Sequence, residues 1–276
     1  MRNLMIMAGV AAAAFAVPAA ATDVTTFANF SAKGGDTANF RWQNGANTNN
    51  VATNQASALR FNASFFTIGT NTGTTPGSRE VKFTFLQDSL NPFVNDLSAS
   101  FTMNGTVTGT VATLDGSQIV QTNLSGSFSF TNNTTINFFN RTFAPGSNLL
   151  SGTFSQATLS GNRGGTSGGL LGSTPQTSIS YTSDFLTFVG GSDYDMSFGL
   201  NSITTQLVTA ARLNSWNTTG TPDSALRSFR ALANGQFSSN PAPIAQVPEP
   251  GTWAMMIAGM GLVGFARRRR TITVAA

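Results

Sequence analysis

Leu97-Ser98-Ala99-Ser100-Phe101-Thr102-Met103-Asn104-Gly105-Thr106-Val107-Thr108-Gly109-Thr110-Val111 sets apolar and polar side chains on alternate positions. Leu97, Ala99, Phe101, Met103, Val107 and Val111 share one parity. Ser98, Ser100, Thr102, Asn104, Thr106, Thr108 and Thr110 share the other. A strand turns successive side chains to opposite faces, so this pattern predicts one buried face and one wet face. Asn104-Gly105 is a two-residue hairpin signal. A turn there would set Phe101 against Thr108 and Met103 against Thr106, apolar opposite polar, which a one-sided core penalises. The pattern therefore favours a strand that runs straight through, or an odd-length loop with a bulge.

Outward from this stretch the same period recurs. Leu124, Phe128 and Phe130 alternate, as do Ile136 and Phe138, and a five-residue loop over 131–135 would pair Phe130 with Ile136 and Phe128 with Phe138. Further strand-like runs cover 59–68, 79–86, 178–188, 194–200 and 229–237, with Gly, Asn and Ser clusters between them. The Gly-rich stretch 162–173 reads as a mobile loop. No amphipathic helix of ordinary length follows the N-terminal segment. Many short strands with turn signals predict an all-β fold, an antiparallel β-sandwich or jelly-roll-like domain over 22–239.

The charges sit at the ends. The chain of 276 residues carries fifteen Lys and Arg against eleven Asp and Glu, a formal +4. Arg2, Arg267, Arg268, Arg269 and Arg270 account for the excess, with Glu249 the one acid beside them. The stretch 22–247 is net neutral and its basic residues are scattered, so no nucleic-acid partner is expected. Cys and His are absent, which excludes Ser-His-Asp and Cys-His catalysis and the usual zinc sites. A paired-carboxylate sugar enzyme needs two acids across a cleft, and Asp193 and Asp195 are the pair close in sequence. The same two, in Gly190-Gly191-Ser192-Asp193-Tyr194-Asp195, are the Ca²⁺ candidates, although the loop lacks the EF-hand pattern. No cofactor is expected and the domain reads as non-enzymatic.

Sugar recognition would use exposed aromatic rings. Trp42 and Trp216 lie in polar stretches and are the candidates, with Tyr181 and Tyr194 behind them. Thr106-x-Thr108-x-Thr110 forms a threonine row of the kind found on the flat faces of some β-helical ice binders.

The two termini read as processing segments. Met1-Arg2-Asn3, an apolar Ala-rich run over 4–17, Pro18 and Ala19-Ala20-Ala21 follow the order of a secretory signal helix, cut by signal peptidase between Ala21 and Thr22. At the other end 240–247 is a Pro-containing linker. The tail 248–276 then opens with Pro248-Glu249-Pro250 and Trp253-Ala254, continues as an apolar stretch to Ala266, and closes on Arg267, Arg268, Arg269 and Arg270. As a helix, 251–266 would rise about 24 Å, a thin fit to a hydrocarbon core of about 30 Å, with the arginines on the cytoplasmic side. Gly259-Met260-Gly261-Leu262-Val263-Gly264 spells a dinucleotide fingerprint but lacks its acidic partner downstream. Its small residues read as helix-packing positions.

In Pro248, Glu249, Pro250, Trp253 and Ala254, followed by the apolar stretch and Arg267 to Arg270, the tail closely resembles the PEP-CTERM sorting signal, in its Pro-Glu-Pro-x-x-Trp-Ala variant. The resemblance covers 247–270. It implies handling by an exosortase, a membrane-embedded protease-transferase of Gram-negative bacteria that make exopolysaccharide. It also implies an inner-membrane intermediate, and release or attachment at the cell surface or in the extracellular matrix. Related tails sit on many unrelated surface domains, some of them ice-binding. The expectation for the domain is a structural or interaction role, with a carbohydrate-binding module for exopolysaccharide as the alternative. An ice-binding protein and a sugar-active enzyme stand further off.

Overall fold

The computed structural model describes residues 24–45, 62–108, 112–115, 117–138, 141–204, 207, 209–211, 224–226, 228–246 and 260. The first strands are β1 (Thr25–Ala32), β2 (Phe40–Gly45), β3 (Asn62–Thr67), β4 (Arg79–Phe85), β5 (Leu97–Thr108) and β6 (Thr113–Asp115). Next come β7 (Gln118–Asn132), β8 (Ile136–Phe138), β9 (Arg141–Phe143), β10 (Asn148–Asn162), β11 (Gly168–Ser173) and β12 (Ser178–Thr182). The last are β13 (Leu186–Thr187), β14 (Asp193–Thr204), β15 (Thr209–Ala211), β16 (Ser224–Leu226), β17 (Phe229–Asn240) and β18 (Ile244–Ala245). The all-β, antiparallel expectation holds.

β5 runs unbroken through Asn104-Gly105. Against β7 its odd residues face inward, so Phe101 meets Phe130, Met103 meets Phe128 and Val107 meets Leu124, all buried. Its even residues face outward in the pairs Thr102–Ser129, Asn104–Ser127 and Thr106–Ser125. Apolar now meets apolar because the strand continues instead of folding back on itself.

Two separate facing sheets were the expectation, but the hydrogen-bonded ladder closes. β5 pairs with β7, β7 with β10, β10 with β11, β11 with β14, and β14 with β17. β17 then pairs with β1, β1 with β4, and β4 with β5 again. The wall splits between β17 and β5. Residues 235–239 of β17 take β1 and residues 229–231 take β2, while β3 joins β2 to the far half of β5. At this seam Asn39, fully buried, acts as a surrogate strand residue. Its Nδ2 donates to the Ala233 carbonyl at 3.0 Å, and its Oδ1 accepts from the Ala233 N–H at 2.6 Å.

Phenylalanines fill the interior. Phe30 (β1), Phe101 (β5), Phe130 (β7), Phe198 (β14) and Phe237 (β17) meet at centroid distances of 4.8 to 6.3 Å, so rings from every side of the wall touch. Outside, the strands carry mostly Ser, Thr, Asn and Gln. That is the reverse of a membrane-spanning barrel, whose apolar residues face out.

Four local readings are corrected. Phe130 does not pair with Ile136, because β5 and β10 occupy both its edges. Ile136 instead opens the small β8–β9 hairpin. The Gly-rich stretch is not all loop, since its second half is β11, hydrogen-bonded on both sides. The run 178–188 breaks after Thr182, where Ser183 Oγ donates to the Leu149 carbonyl and accepts from the Phe185 N–H. The stretch read as a linker is docked. β18 pairs with β13, and the Gln246 N–H donates to the Phe185 carbonyl at 2.8 Å. The signal helix, and apart from Met260 the tail with its spanning helix, lie outside the described residues.

Candidate functional site

One depression lies on the outer wall where β10, β11, β14, β17 and β1 run side by side, with a volume of about 620 Å³. Adjacent strands in register bring its polar groups together. Leu171 pairs with Ser197, Ser197 with Gln236, Ser173 with Asp195, and Asp195 with Ser238. Gln156 enters from β10 and Gln176 from the turn after β11. Leu171, 49% exposed, supplies the largest apolar surface.

Gln156 stands where the β7–β10 register shifts, with a positive φ of 64°. Asn123 on β7, close to the same shift, has a φ of 60°. A bulge re-aims a side chain, and a left-handed backbone at a residue other than glycine costs energy unless its surroundings impose it. Both side chains line a smaller depression of about 340 Å³, together with Thr106 and Ser125. Thr106 and Ser125 in turn line a third, of about 770 Å³, over β3, β5 and β7. The three share residues and form one belt along the hydrogen-bonding direction. Strands lie about 4.8 Å apart, so from β3 to β17 the belt runs about 29 Å over the wall. Among its described lining residues Asp195 alone is charged.

Its chemistry is hydrogen bonding by hydroxyls, amides and one carboxylate, beside small apolar patches. Phe65 and Phe66 border the third depression but are 0% and 4% exposed, so neither offers a stacking face.

The sequence candidates fall elsewhere. Trp42 is 1% exposed and stacks between Phe65 and Phe229, at 6.0 and 6.2 Å and nearly parallel. Its polar neighbours in sequence face outward while the indole faces the core, so it presents no ring to a sugar. Trp216 lies outside the described residues, as do Ala19, Ala21, Thr22, Pro248, Glu249, Pro250, Trp253, Ala254 and Arg267 to Arg270. Tyr194 packs on Phe188 and Tyr181. Thr106 is exposed on β5, but the row toward Thr110 leaves the described residues. Asp193 and Asp195 share one face of β14 and are both half-buried. Asp193 accepts a hydrogen bond from Thr174 Oγ1 at 3.3 Å, and Asp195 opens on the belt. Among the described residues no three acidic or imidazole groups gather as a cation cluster. Gln156, Gln176 and Gln236 were missed: the parity shared by Phe229, Ala231, Ala233 and Phe237 turns Gln236 outward, but Gln156 sits at a register shift and Gln176 in a turn, where parity gives no signal.

Tyr181 supports the site from inside. Its hydroxyl donates to the Asp195 carbonyl at 2.6 Å. Burial raises its pKa well above the usual phenol value, and the neighbouring Asp195 and Tyr194 add to this. The folded state thus holds this proton more tightly than the unfolded one. The stability from the neutral phenol is fully present below about pH 10 and is lost as pH rises through the folded pKa. Tyr181→Phe is expected to lose about 1 kcal/mol at neutral pH and to flatten the alkaline fall in stability. Denaturation midpoints across pH check this, and parallel curves for the two proteins would refute it.

Compared with known proteins, the chain matches the family model of the PEP-CTERM protein-sorting motif over residues 246–270. The match bears out the tail resemblance and implies an exported protein sorted by exosortase. No curated protein and no solved structure matches the chain.

Proposed function

We propose that the chain is a surface or matrix protein, processed at both ends, whose barrel binds neutral exopolysaccharide without chemically altering it. The belt carries this reading. A long, shallow, almost uncharged surface of hydroxyls and amides suits an extended sugar polymer, whose own hydroxyls both donate and accept. Without exposed rings in the belt, each sugar unit is held by hydrogen bonds and small apolar contacts, so single sugars bind weakly and long chains by repetition. Asp195 is the belt's one described carboxylate, and hydrolysis by a carboxylate pair needs two.

The test is retention of the processed protein on exopolysaccharide from its own host and on a charged polymer. Retention on the neutral polymer, insensitive to salt, is the expected result. Binding that favours the charged polymer, or no retention, would remove the reading. Gln156→Gly separates function from folding. Relieving the left-handed strain stabilises the barrel by about 1 kcal/mol. Losing the amide weakens retention roughly two- to tenfold. A variant that is more stable and binds equally well would place Gln156 outside the contact.

A further inference from the structure

The two ends of the barrel differ. At one end lie the start of β1 and the finish of β17, adjacent in register as Thr25 and Ser239. The segments 86–96, 133–138, 141–147, 183–192 and 241–246 cover this end and are tied to one another. Gln87 Nε2 donates to the Pro243 carbonyl, Arg141 Nη1 to Gln246 Oε1 at 3.4 Å, and Gln246 Nε2 to the Leu186 carbonyl at 3.5 Å. The Phe93 and Phe138 rings meet edge to face at 5.0 Å.

The barrel's exposed large apolar side chains concentrate here. Among the described residues of the barrel these are Leu86, Phe93, Leu171, Val189 and Ile244, and all but Leu171 lie in the segments covering this end. Ile244 is 63% exposed. An apolar rim has one obvious neighbour. From Gln246, pinned to the barrel, five residue-to-residue steps across the four residues 247–250 lead to Gly251, where the apolar stretch begins. Fully extended they reach about 17 Å, so a tail lodged in a bilayer holds this end close to the headgroups. Val24, the first described residue, lies at the same end, next to Thr25.

We infer that the rim of Leu86, Phe93, Val189 and Ile244 seats on the lipid bilayer at headgroup level and holds the barrel end-on until the tail is cut. The inference rests on the reading that the tail enters the membrane. The contact is apolar. Asp88, Asp96 and Asp184 are exposed at this end with Arg141 as the cation among them, so anionic lipid does not strengthen it. The opposite end stays clear of the membrane, as does the part of the belt over β3, β5 and β7.

The chain has no cysteine, so single spin labels can be placed freely. Gly190 and Gly34 have open space where a Cβ would stand, and Ala242 is exposed. Gly190→Cys and Ala242→Cys report the rim end, and Gly34→Cys, beyond the finish of β1, reports the far end. Tail-bearing protein from cells lacking exosortase is reconstituted into phosphatidylcholine vesicles. Labels at 190 and 242 should be reached more readily by oxygen than by a water-soluble nickel chelate, and the label at 34 the reverse. Leu86→Ser with Ile244→Ser should return the first two labels to water, leaving the label at 34 and the circular dichroism unchanged. Protein that does not float with the vesicles would defeat the tail reading itself. Protein that floats with all three labels in water would overturn the rim inference alone. So would lipid contact that survives the double variant, or that needs anionic lipid.

Discussion

Gly105→Ala should destabilise the barrel by about 1–3 kcal/mol, Phe65→Ala by about 3–5 kcal/mol, and the double variant by clearly less than the two together. Gly105 occupies an inward position in the middle of β5. A Cβ there would stand 2.0 Å from Phe65 Cζ and 2.4 Å from Cε2, inside the ring. The three nearest atoms all belong to that ring, so a methyl group meets Phe65 first. Phe65 is fully buried and stacks with Trp42 and with Phe154, which links β3 to β10 through the interior. Removing the ring leaves a cavity that the methyl group added at position 105 partly refills, so the two losses overlap. A double-mutant cycle in denaturant measures the overlap. At about 2–4 °C per kcal/mol for a domain of this size, the single variants also separate in a thermal melt. Losses that add to within about 0.5 kcal/mol would show that ring and glycine do not compete for one space.

Gly105 also marks the limit of what the sequence could tell. The alternation over 97–108 gave the strand and its buried parity, because period two is a local property. The reason for glycine at 105 is a ring forty residues upstream, which no window around the position contains. The Gly-rich stretch at 162–173 misled for a related reason. A Cβ on Gly168 would stand 2.8 Å from the Ser160 carbonyl oxygen, and one on Gly172 would stand 2.9 Å from Thr177. These glycines let β11 lie tightly between β10 and β14, but by composition they look like a loop. The false pairing of Phe130 with Ile136 had the correct faces and the wrong partner, since turn signals cannot show that β5 and β10 have already taken both edges of β7.

The candidate site was less legible than the fold. Asp195 was singled out, but as half of an acid pair, and its partner Asp193 is bonded to Thr174. Trp42 was chosen because its sequence neighbours are polar. On a strand such neighbours face the other way, so a Trp flanked by Arg41 and Gln43 is what a core position looks like. The belt draws residues from strands spread between β1 and β17, and it is the run of neighbours β10, β11, β14 and β17, far apart in sequence, that brings Gln156 near Gln236. The sorting signal of the tail, by contrast, was readable, because its motif, apolar stretch and arginines are contiguous.

Closure also gives the second large effect, at the seam. Asn39→Leu should cost about 1–3 kcal/mol for each of the two Ala233 main-chain groups it leaves without a partner, since both are buried where β17 passes from β2 to β1. Asn39→Asp separates hydrogen bonding from packing, as the shape is nearly unchanged. The carboxylate still accepts from the Ala233 N–H, but it cannot donate to the carbonyl, and it carries a charge where Asn39 is 0% exposed. Its folded pKa must therefore rise above the unfolded value of about 3.9, because only the protonated acid can donate and stay neutral. The stability of this variant is fully present below about pH 3.9 and is lost as pH rises through the folded pKa. Subtracting the parent's curve cancels the other carboxylates, so the difference between the two proteins should widen with pH and then level off. A difference that is constant in pH would mean that the seam is held by packing alone, and that the Asn39 amide does not stand in for the missing strand residue.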